Sequence, residues 1–380
     1  MTLLELDQTA KKAYYNMDLP TALRCYAEAF IQYPKLALAY NNYGNILREM
    51  GFPKEAYGFL ETAIRLDPTD VNAHFNYAVA HLAAGDLEKG WELFEARWKF
   101  KSHEHTLEGW SKPRWHGEDI AGKKLLITCE EGDGDNIQFI RFVNQLIEKN
   151  IIPVIQTEPQ LKKIFSKSFR KIKIIDNTES IEEFDFWTPI LSLPKCLKIT
   201  YDNFPKTKTY LKSEKNKVKI FETILGNKTK PRIGFCWRGR SKGYPFNEII
   251  KLIQRNTEYE WINLQFAYTE EENIILEQLG VKSYRSHITN WNDTAALVKN
   301  LDVVISIDTG LVHLAGALGK KCILMLDKYK TCWRWLYERT DTVWYPTIEI
   351  VRQVEQNNFD EHIISIGEAI AKKIDPEGSI

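Results

Sequence analysis

The sequence predicts a chain of α plus α/β class, in which α-helical hairpin repeats precede two α/β domains. Three observations predict this: a 34-residue periodicity in the first hundred residues, an alternation of strand and helix signals after Lys123, and a second alternation from Arg232. The 380 residues suffice for two or three domains. A hydrophobic content of 44% with 27% charged residues is typical of a globular protein with a substantial core.

Composition excludes several classes of function. Lys plus Arg and Asp plus Glu both number 51, so the chain has no overall charge that would attract nucleic acid or an anionic membrane. The six cysteines are scattered without a C-x-x-C pair, which indicates reduced thiols and argues against zinc. The first residues lack the basic and apolar regions of a secretory signal, and no apolar stretch is long enough to span a bilayer. We therefore expect a cytoplasmic protein.

The N-terminal periodicity has the pattern of helical hairpins. Pro34 and Pro68 lie 34 residues apart, and small residues recur in register at Ala10, Gly44 and Ala78. The period and pattern resemble the tetratricopeptide repeat (TPR), with three repeats predicted at 3–36, 37–70 and 71–104. One interpretation is a groove for a peptide, a protein partner or another subunit. Its expected lining residues on first helices are Tyr40, Asn41, Asn42, Asn45, His74 and Asn76. The alternative is that the repeats only brace the following domain.

After a predicted linker at 105–120, strands and helices alternate in two series. The first domain, 121–228, has predicted strands at 125–128, 151–156 and 172–175, with helices at 136–149 and 160–168. The second domain, 229–380, has predicted strands at 232–237, 261–265, 303–307 and 322–326 and a helix at 246–255. Two such series predict doubly wound domains that face each other across a cleft, with ligands at the carboxyl ends of strands.

An acidic loop, residues 129–136, follows the first strand of the first domain. Its sequence is Cys-Glu-Glu-Gly-Asp-Gly-Asp-Asn, in which glycines permit a tight turn and four carboxylates are crowded. Crowding of like charges raises the pKa of at least one carboxyl group, which suits a general base. The candidates are Glu131, Asp133, Gly134 and Asp135, followed by Gln138. The alternatives are that Asp135 caps the next helix, that the acids face water, or that they bind a metal.

A basic loop, residues 237–243, follows the first strand of the second domain. It contains Arg238, Arg240 and Lys242 directly after Trp237. Three cations separated by small residues at a strand end favour a diphosphate, whereas the alternative is a solvated loop. The order of Gly, Lys and Ser does not match a Walker A loop.

The Asp-Thr-Gly turn, residues 308–310, joins a predicted buried strand to a helix with small residues on one face. The first turn of a helix has free backbone N–H groups and a positive dipole, which together favour an anion. His313 is expected in that first turn, beside any bound phosphate. The alternative is an ordinary capped helix.

Together these motifs resemble the ADP-heptose:lipopolysaccharide heptosyltransferase family (glycosyltransferase family 9), and more closely its members fused to TPR repeats. The resemblance covers about residues 37–365. Besides the acidic loop and the Asp-Thr-Gly turn, it depends on short motifs in the family's order: Gly117-Glu118, 122–126, 130–141, 192–194, Leu264-Gln265, 293–297, 333–335, 344–346 and Arg352-Gln353.

The resemblance implies a GT-B fold of two Rossmann-like domains, with the acceptor on the first domain and the nucleotide sugar on the second. It implies inverting, metal-independent transfer of a sugar, heptose among the candidates, from a nucleoside-diphosphate donor to a hydroxyl of a protein or surface glycan. An ADP-sugar is the favoured donor, and no cofactor is implied. The C-terminal helix at 359–373 is expected to return to the first domain.

The resemblance also implies roles for individual residues. Asp135 would be the catalytic base, and Glu131, Asp133, Gly134 and Gln138 would lie on the acceptor side. Thr309 and Gly310 would bind the diphosphate near His313, while Asp308 would face the sugar. Arg238, Arg240 or Lys242 would neutralise the leaving group, and Trp237 and Gln265 would complete the donor site.

Two departures from the family pattern concern the loops. Glu131 and Asp133 replace the family's Gln and Leu, and the basic loop is shorter than usual. A different class of function is a TPR scaffold with a catalytically weak GT-B part. A Rossmann dehydrogenase is disfavoured because Gly132-Asp133-Gly134 lacks the third glycine of G-x-G-x-x-G. The nucleobase, sugar, acceptor and oligomeric state stay open.

Overall fold

The computed structural model describes residues 1–100, 110–181, 183–240 and 242–377, so residues 105–109 of the predicted linker lie outside the described part. The chain divides into two units. The first comprises Met1–Ser111, Lys198–Phe204 and Lys328–Arg339. The second comprises Lys112–Leu197, Pro205–Asp327 and Thr340–Ile380. Both units are assembled from separate stretches of chain, and each is described here by itself.

The first unit contains three helical hairpins at the predicted positions. Its helices are α1 (Leu3–Tyr15), α2 (Leu19–Gln32), α3 (Ala37–Glu49), α4 (Tyr57–Leu66), α5 (Val71–Ala83) and α6 (Leu87–Phe94), followed by a 3₁₀ helix at Glu95–Lys99. The small residues of the repeat are explained by close helix crossing. A Cβ on Gly44 would lie 2.7 Å from Leu60 Cγ, so the position in α3 must stay small for α4 to pack. Three stacked hairpins are thus confirmed.

A late segment of the chain packs on these hairpins. The backbone N–H of Lys330 donates to the Glu49 carbonyl at 2.9 Å, and its Nζ donates to the Tyr14 carbonyl, also at 2.9 Å. Trp333 contacts Trp91 edge to face at 5.4 Å. Residues 328–339 therefore use the C-terminal ends of α1 and α3 and the surface of α6. Part of the repeat surface is therefore occupied by a later segment of the same unit.

The second unit contains two parallel β-sheets. The first has the order β3-β2-β1-β4, and the second has the order β10-β9-β8-β5-β6-β7. The strands are β1 (Lys124–Thr128), β2 (Ile152–Thr157), β3 (Lys173–Asp176), β4 (Phe186–Pro189), β5 (Arg232–Cys236), β6 (Glu260–Asn263), β7 (Lys282–Ser283), β8 (Val303–Ser306), β9 (Cys322–Leu326) and β10 (Ile348–Arg352). All registered pairs are parallel, which confirms the two predicted α/β series.

Among the described residues of the second unit, ten α-helices lie between or after the strands. They are α7 (Asp133–Phe139), α8 (Val143–Glu148), α9 (Pro159–Ser168), α10 (Leu193–Cys196), α11 (Lys215–Leu225), α12 (Phe246–Arg255), α13 (Glu270–Gln278), α14 (Trp291–Lys299), α15 (Gly310–Ala317) and α16 (Phe359–Ile374). The single helix predicted at 136–149 is instead α7 and α8, separated by a 3₁₀ turn at Ile140–Phe142. Among all described helices, none has the length and apolarity that a membrane crossing requires.

The position of α16 corrects one prediction. Its apolar stripe, Ile363, Ile366 and Ile370, is buried in the core of the second sheet together with Ile233 and Phe235. The helix packs against α12 and strands β8 to β10. The expected return to the first α/β domain is therefore wrong, because the second sheet itself buries the whole apolar face of the helix.

Candidate functional site

The predicted site residues follow the carboxyl ends of parallel strands. The acidic loop follows β1, the basic loop follows β5, Gln265 follows β6, and the Asp-Thr-Gly turn follows β8. Strands β8, β5 and β6 are neighbours in one sheet, so their carboxyl ends lie at the same edge. The helices α7 and α15, which begin at the acidic loop and at the Asp-Thr-Gly turn, are in direct contact.

Two buried side chains build the acidic loop. Asn136 accepts the backbone N–H of Glu130 at 3.1 Å and donates to the Gly132 carbonyl at 3.1 Å. The carboxylate of Glu130 accepts the backbone N–H of Leu191 at 2.9 Å. Exposed Glu131 adopts a φ of 58°, in the left-handed region. The sequence pattern did not predict the roles of Glu130 and Asn136, although an Asn in the first turn of a helix is a recognisable signal of backbone capping.

Asp133 is engaged by two neutral donors. Trp291 Nε1 donates to its Oδ2 at 2.7 Å, and Gln160 Nε2 donates to Oδ1 at 3.1 Å. The three residues belong to α14, α9 and the start of α7. Asp133 thus connects the domains that contain the first and second sheets. The crowding of like charges in the sequence did not predict this structural role. No group of three or more potential metal ligands occurs among the described residues.

Asp135 lies in the first turn of α7. Its Oδ2 accepts the backbone N–H of Gly132 at 3.3 Å, so it contributes to capping the helix, as one of the alternatives expected. A bond of this length is compatible with a second role for the carboxylate. Its assignment as the catalytic base stays a prediction.

Gly134 and Gly310 let the first turns of α7 and α15 touch. A Cβ on Gly134 would lie 3.0 Å from Gly310 Cα and 3.2 Å from His313 Cδ2. A Cβ on Gly310 would lie 2.8 Å from Trp291 Cη2. A side chain at Gly134 would push α7 and α15 apart, and a side chain at Gly310 would press on the Trp291 ring of α14, so both glycines are needed for the close packing of these loops.

His313 and Asp308 lie at this contact. His313 is buried, with Nδ1 3.0 Å from Tyr345 Oη and Nε2 3.8 Å from Asp308 Oδ1. The other oxygen of Asp308 accepts from Lys242 Nζ at 2.6 Å. The structure therefore brings Lys242, Asp308 and His313 into one row of ionisable side chains, although Lys242 lies on the basic loop.

The three predicted cations have different surroundings. Arg238 forms a two-pronged pair with Glu272 on α13, and Lys242 pairs with Asp308. Arg240 is exposed and has no ion pair with another described residue. The cations are thus not equivalent: Arg238 is engaged with a carboxylate that the sequence did not point to, whereas Lys242 and Arg240 lie on the remainder of the loop.

Gln265 holds the start of the basic loop in place. Its Oε1 accepts the backbone N–H groups of Trp237 at 3.2 Å and Arg238 at 2.9 Å, and its Nε2 donates to the Arg238 carbonyl at 3.0 Å. These bonds indicate a positioning function. The Trp237 side chain is fully buried against Phe235 and Phe246.

Two of the predicted site residues are buried. The Trp237 side chain lies in the core of the second sheet domain, and Gln138 on α7 is also fully buried. Their contacts with donor and acceptor stay predictions.

Sequence reasoning also missed a buried cation. Arg141 donates to the carbonyls of Trp344 and Pro205 and lies over the rings of Tyr210 and Tyr345, at 5.2 and 5.5 Å from their centroids. The recognisable signal was present in the motifs that contain Arg141 and Trp344-Tyr345. Their spatial contact could not be inferred from spacing.

A pocket of about 570 Å³ lies beside Gln160. It is lined by Pro159, Lys162, Lys163, Ser166, Lys167, Glu214 and Asn290. Lys163 and Lys167 approach Glu214 at 3.6 and 3.9 Å. Lys162 also lines the pocket but pairs with Asp176 and Glu179, so the excess positive charge of the wall comes from Lys163 and Lys167 against the single Glu214. Gln160 and Trp291, the two residues that bind Asp133, adjoin the lining residues Pro159 and Asn290.

Comparison with protein families found two matches. Residues 197–328 match the model of glycosyltransferase family 9 (heptosyltransferase), and residues 59–92 match a tetratricopeptide repeat. The family 9 match covers 132 of the 380 residues.

One bacterial protein is similar to most of this chain. Protein FlbA of Caulobacter vibrioides is 23% identical over 386 residues, which cover 84% of this chain and 64% of that protein. The chain thus spans somewhat less than two thirds of the length of this relative.

Solved structures that are similar to this chain include two bacterial proteins. The Escherichia coli ADP-heptose lps heptosyltransferase II is 14% identical, covers 66% of this chain and 97% of its own, and has a TM-score of 0.48. The family 9 glycosyl transferase from Veillonella parvula is 12% identical, covers 68% and 91%, and has a TM-score of 0.49.

Proposed function

We propose that this protein is a glycosyltransferase, which moves a sugar from a nucleoside-diphosphate donor, an ADP-sugar by preference, to a hydroxyl of a protein or surface glycan. The transfer inverts the anomeric centre and requires no metal ion. The observation that carries the proposal is the contact between Gly134 and Gly310. This contact brings the start of α7, which carries Asp135, against the start of α15. The row formed by Lys242, Asp308 and His313 lies beside the start of α15.

In the proposed reaction, the acceptor oxygen attacks the anomeric carbon from the side opposite the diphosphate. The bond between that carbon and the phosphate oxygen breaks, and its electron pair stays on the leaving nucleoside diphosphate. The proton of the acceptor hydroxyl passes to the Asp135 carboxylate. A base at this position contributes about 10²- to 10⁴-fold to the rate.

The negative charge that develops on the leaving group needs fixed positive groups. We assign this role to Lys242, to Arg240 and to the backbone N–H groups of Thr309 and Gly310. Lys242 is half exposed, and its present partner Asp308 is largely buried. A bound diphosphate would draw Lys242 toward itself, which would leave Asp308 able to accept a hydrogen bond from a sugar hydroxyl. Arg238 has a smaller part, because Glu272 already binds it.

The acceptor is expected on the side of the acidic loop, toward the lysine-lined pocket next to Gln160. A protein acceptor recruited by the TPR region is the form of the proposal that uses the whole chain. This is consistent with the family match of residues 59–92 to a repeat that other proteins use for binding.

The first test is thermal stabilisation of the chain by ADP, UDP, GDP and CDP, each with magnesium and with a chelator. A ligand at about 100 times its Kd adds about 2.7 kcal/mol of stability. We expect a shift with one diphosphate, the same in magnesium and in chelator. A shift that vanishes with chelator would contradict the metal-independent reaction, and no shift with any diphosphate would favour a scaffold.

A pair of variants locates the nucleotide. Lys242→Met should remove most of the nucleotide-dependent shift, because it deletes a cation at the proposed diphosphate. Lys251→Met is the control, since Lys251 pairs with Glu248 and Asp360 on the surface of α12 and α16. Equal shifts in both variants would refute the assignment of Lys242. The anomeric configuration of the product, read by NMR, tests inversion.

A further inference from the structure

An exposed aromatic ring lies at the sheet edge that carries the proposed donor site. Phe266 follows β6, directly after Gln265, and is 68% exposed. Among the exposed large hydrophobic residues that the structure describes in the second unit, it is the only aromatic one. A single exposed apolar residue is ordinary on a protein surface. Two further properties of Phe266, its position on the sheet and its contact with a cation, distinguish it from such a residue.

The register of the second sheet places Phe266 next to the basic loop. Asn263 of β6 pairs with Phe235 of β5 and with Ser283 of β7. The segments that follow these three positions therefore leave the sheet at the same edge and at a similar height. Neighbouring strands are about 4.8 Å apart, so Phe266 lies about one strand spacing from the basic loop, on the side away from β8.

A fixed cation covers one face of the Phe266 ring. The guanidinium carbon of Arg285 lies 3.6 Å from the ring centroid. Arg285 belongs to a 3₁₀ turn that follows β7, and its Nη1 donates to the Ile288 carbonyl at 3.0 Å. The exposed part of Phe266 is therefore the part of the ring that Arg285 does not cover. An aromatic ring with a guanidinium group behind it is a surface on which a nucleobase stacks favourably.

A nucleoside diphosphate at the proposed donor site would extend toward this ring. The diphosphate is proposed to bind at the ends of β8 and β5, and the next strands along the same edge are β6 and β7. A ribose separates the base from the diphosphate, so the base would lie beyond β5, at Phe266. On the other side of β8, the strand β9 is followed by the carboxylate of Asp327 instead of an aromatic ring.

We propose that Phe266, with Arg285 behind it, is the stacking surface for the nucleobase of the donor, and that it favours a purine over a pyrimidine. The two fused rings of a purine cover more of an aromatic surface than the single ring of a pyrimidine. Stacking does not read the edge of the base, so this contact alone does not distinguish ADP from GDP. The inference rests on the proposed function, because it requires a nucleoside diphosphate at the site.

The test is isothermal titration calorimetry of the full chain with ADP, GDP, UDP, CDP and pyrophosphate. The wild type should bind ADP and GDP more tightly than UDP and CDP. Phe266→Ala should weaken the binding of ADP about 5- to 150-fold. It should leave the binding of pyrophosphate unchanged, because pyrophosphate has no base. An unchanged affinity of Phe266→Ala for ADP, or a wild type that prefers UDP to ADP, would overturn the proposal.

Val354→Ala is the matched control. Val354 is 66% exposed and follows β10, at the opposite end of the sheet from β6 and β7, so this variant should bind ADP as the wild type does. An equal loss of ADP binding in Val354→Ala and Phe266→Ala would show that any exposed apolar residue has this effect, which contradicts stacking.

Phe266→Trp gives a direct signal of stacking. It should retain the affinity for ADP, and the fluorescence of the added indole should be quenched by ADP and not by pyrophosphate. The signal is the difference from the wild type, because the chain already has 11 tryptophans. A difference that ADP does not change would refute the contact. If the wild type binds none of these diphosphates, the proposed function itself fails. If it binds ADP and Phe266→Ala binds ADP equally well, only the present inference fails.

Discussion

Gly134→Ala tests whether the two glycine-bearing loops must touch for the protein to work. The added methyl group would lie 3.0 Å from Gly310 Cα, against 3.4 Å for the near limit of ordinary contact. The obstructing atoms are backbone of α15 and the ring of the buried His313, and neither moves freely. The helices α7 and α15 must therefore separate by about 0.4 Å, the difference between these two distances.

The change in unfolding free energy caused by Gly134→Ala is the difference between two opposing effects. Forcing an extra methyl group into packed structure costs about 1–3 kcal/mol. Alanine in place of glycine in a helix returns about 0.5–1 kcal/mol. The net loss of unfolding free energy is about 0.5–2 kcal/mol, which corresponds to a melting temperature lower by a few degrees for a domain of this size. Because a displacement of 1 Å at a reacting site costs about 100-fold in rate, a displacement of a few tenths should lower kcat/KM about tenfold.

The measurements are calorimetric melting and steady-state transfer, each with Gly58→Ala as the control. Gly58 is helical in α4, and a Cβ there meets nothing within 4 Å, so the control should be slightly stabilised with unchanged kinetics. A Gly134→Ala variant that melts and transfers like the wild type would refute the argument. It would mean that the α7–α15 contact opens freely and that neither glycine is needed for close approach.

Three further outcomes are expected. Asp135→Asn should lower kcat about 10²- to 10⁴-fold with an unchanged shift from the nucleoside diphosphate, and transfer at the wild-type rate would remove Asp135 as the base. Trp291→Phe should lose about 1.5–3 kcal/mol, seen in the melting temperature, because it deletes the donor to the charged Asp133; an unchanged melt would contradict that bond. Burial lowers the pKa of Lys320 to about 8 from 10.5, so between pH 8 and 10 the unfolded chain holds a proton that the folded chain releases. The melting temperature of the wild type should therefore rise relative to Lys320→Gln across that interval, and a constant difference would contradict the lowered pKa of Lys320.

Much of the fold was predictable because local patterns specify it. The 34-residue period predicted three hairpins, because the two helices of each repeat cross closely and need a small residue at the crossing, such as Gly44. The buried strands β1, β5 and β9 are continuous apolar runs with clear boundaries. By contrast, β7 has only two residues, too few for any periodicity, and β4 ends in a proline, which weakens a strand signal.

The location of the site was predictable from the sequence, but the ion pairs and hydrogen bonds between its side chains were not. The three loops follow strands, and parallel strands bring their carboxyl ends to one edge regardless of sequence distance. Which cation meets which anion depends on side chains far apart in the chain. Arg238 meets Glu272 on α13, and Asp133 meets Trp291 on α14, so the sequence left Arg238, Arg240 and Lys242 equivalent when they are not.

The sequence by itself determined the hairpin repeats, the two parallel α/β domains and the position of the polar loops, because these depend on periodicity and on chain geometry within a few residues. Tertiary structure alone decided that Gly134 touches Gly310, that Trp237 lies in the core, and that α16 stays on its own sheet. It also decided that Tyr345 meets His313. Such contacts depend on which faces are buried together, and no local spacing in the chain encodes that choice.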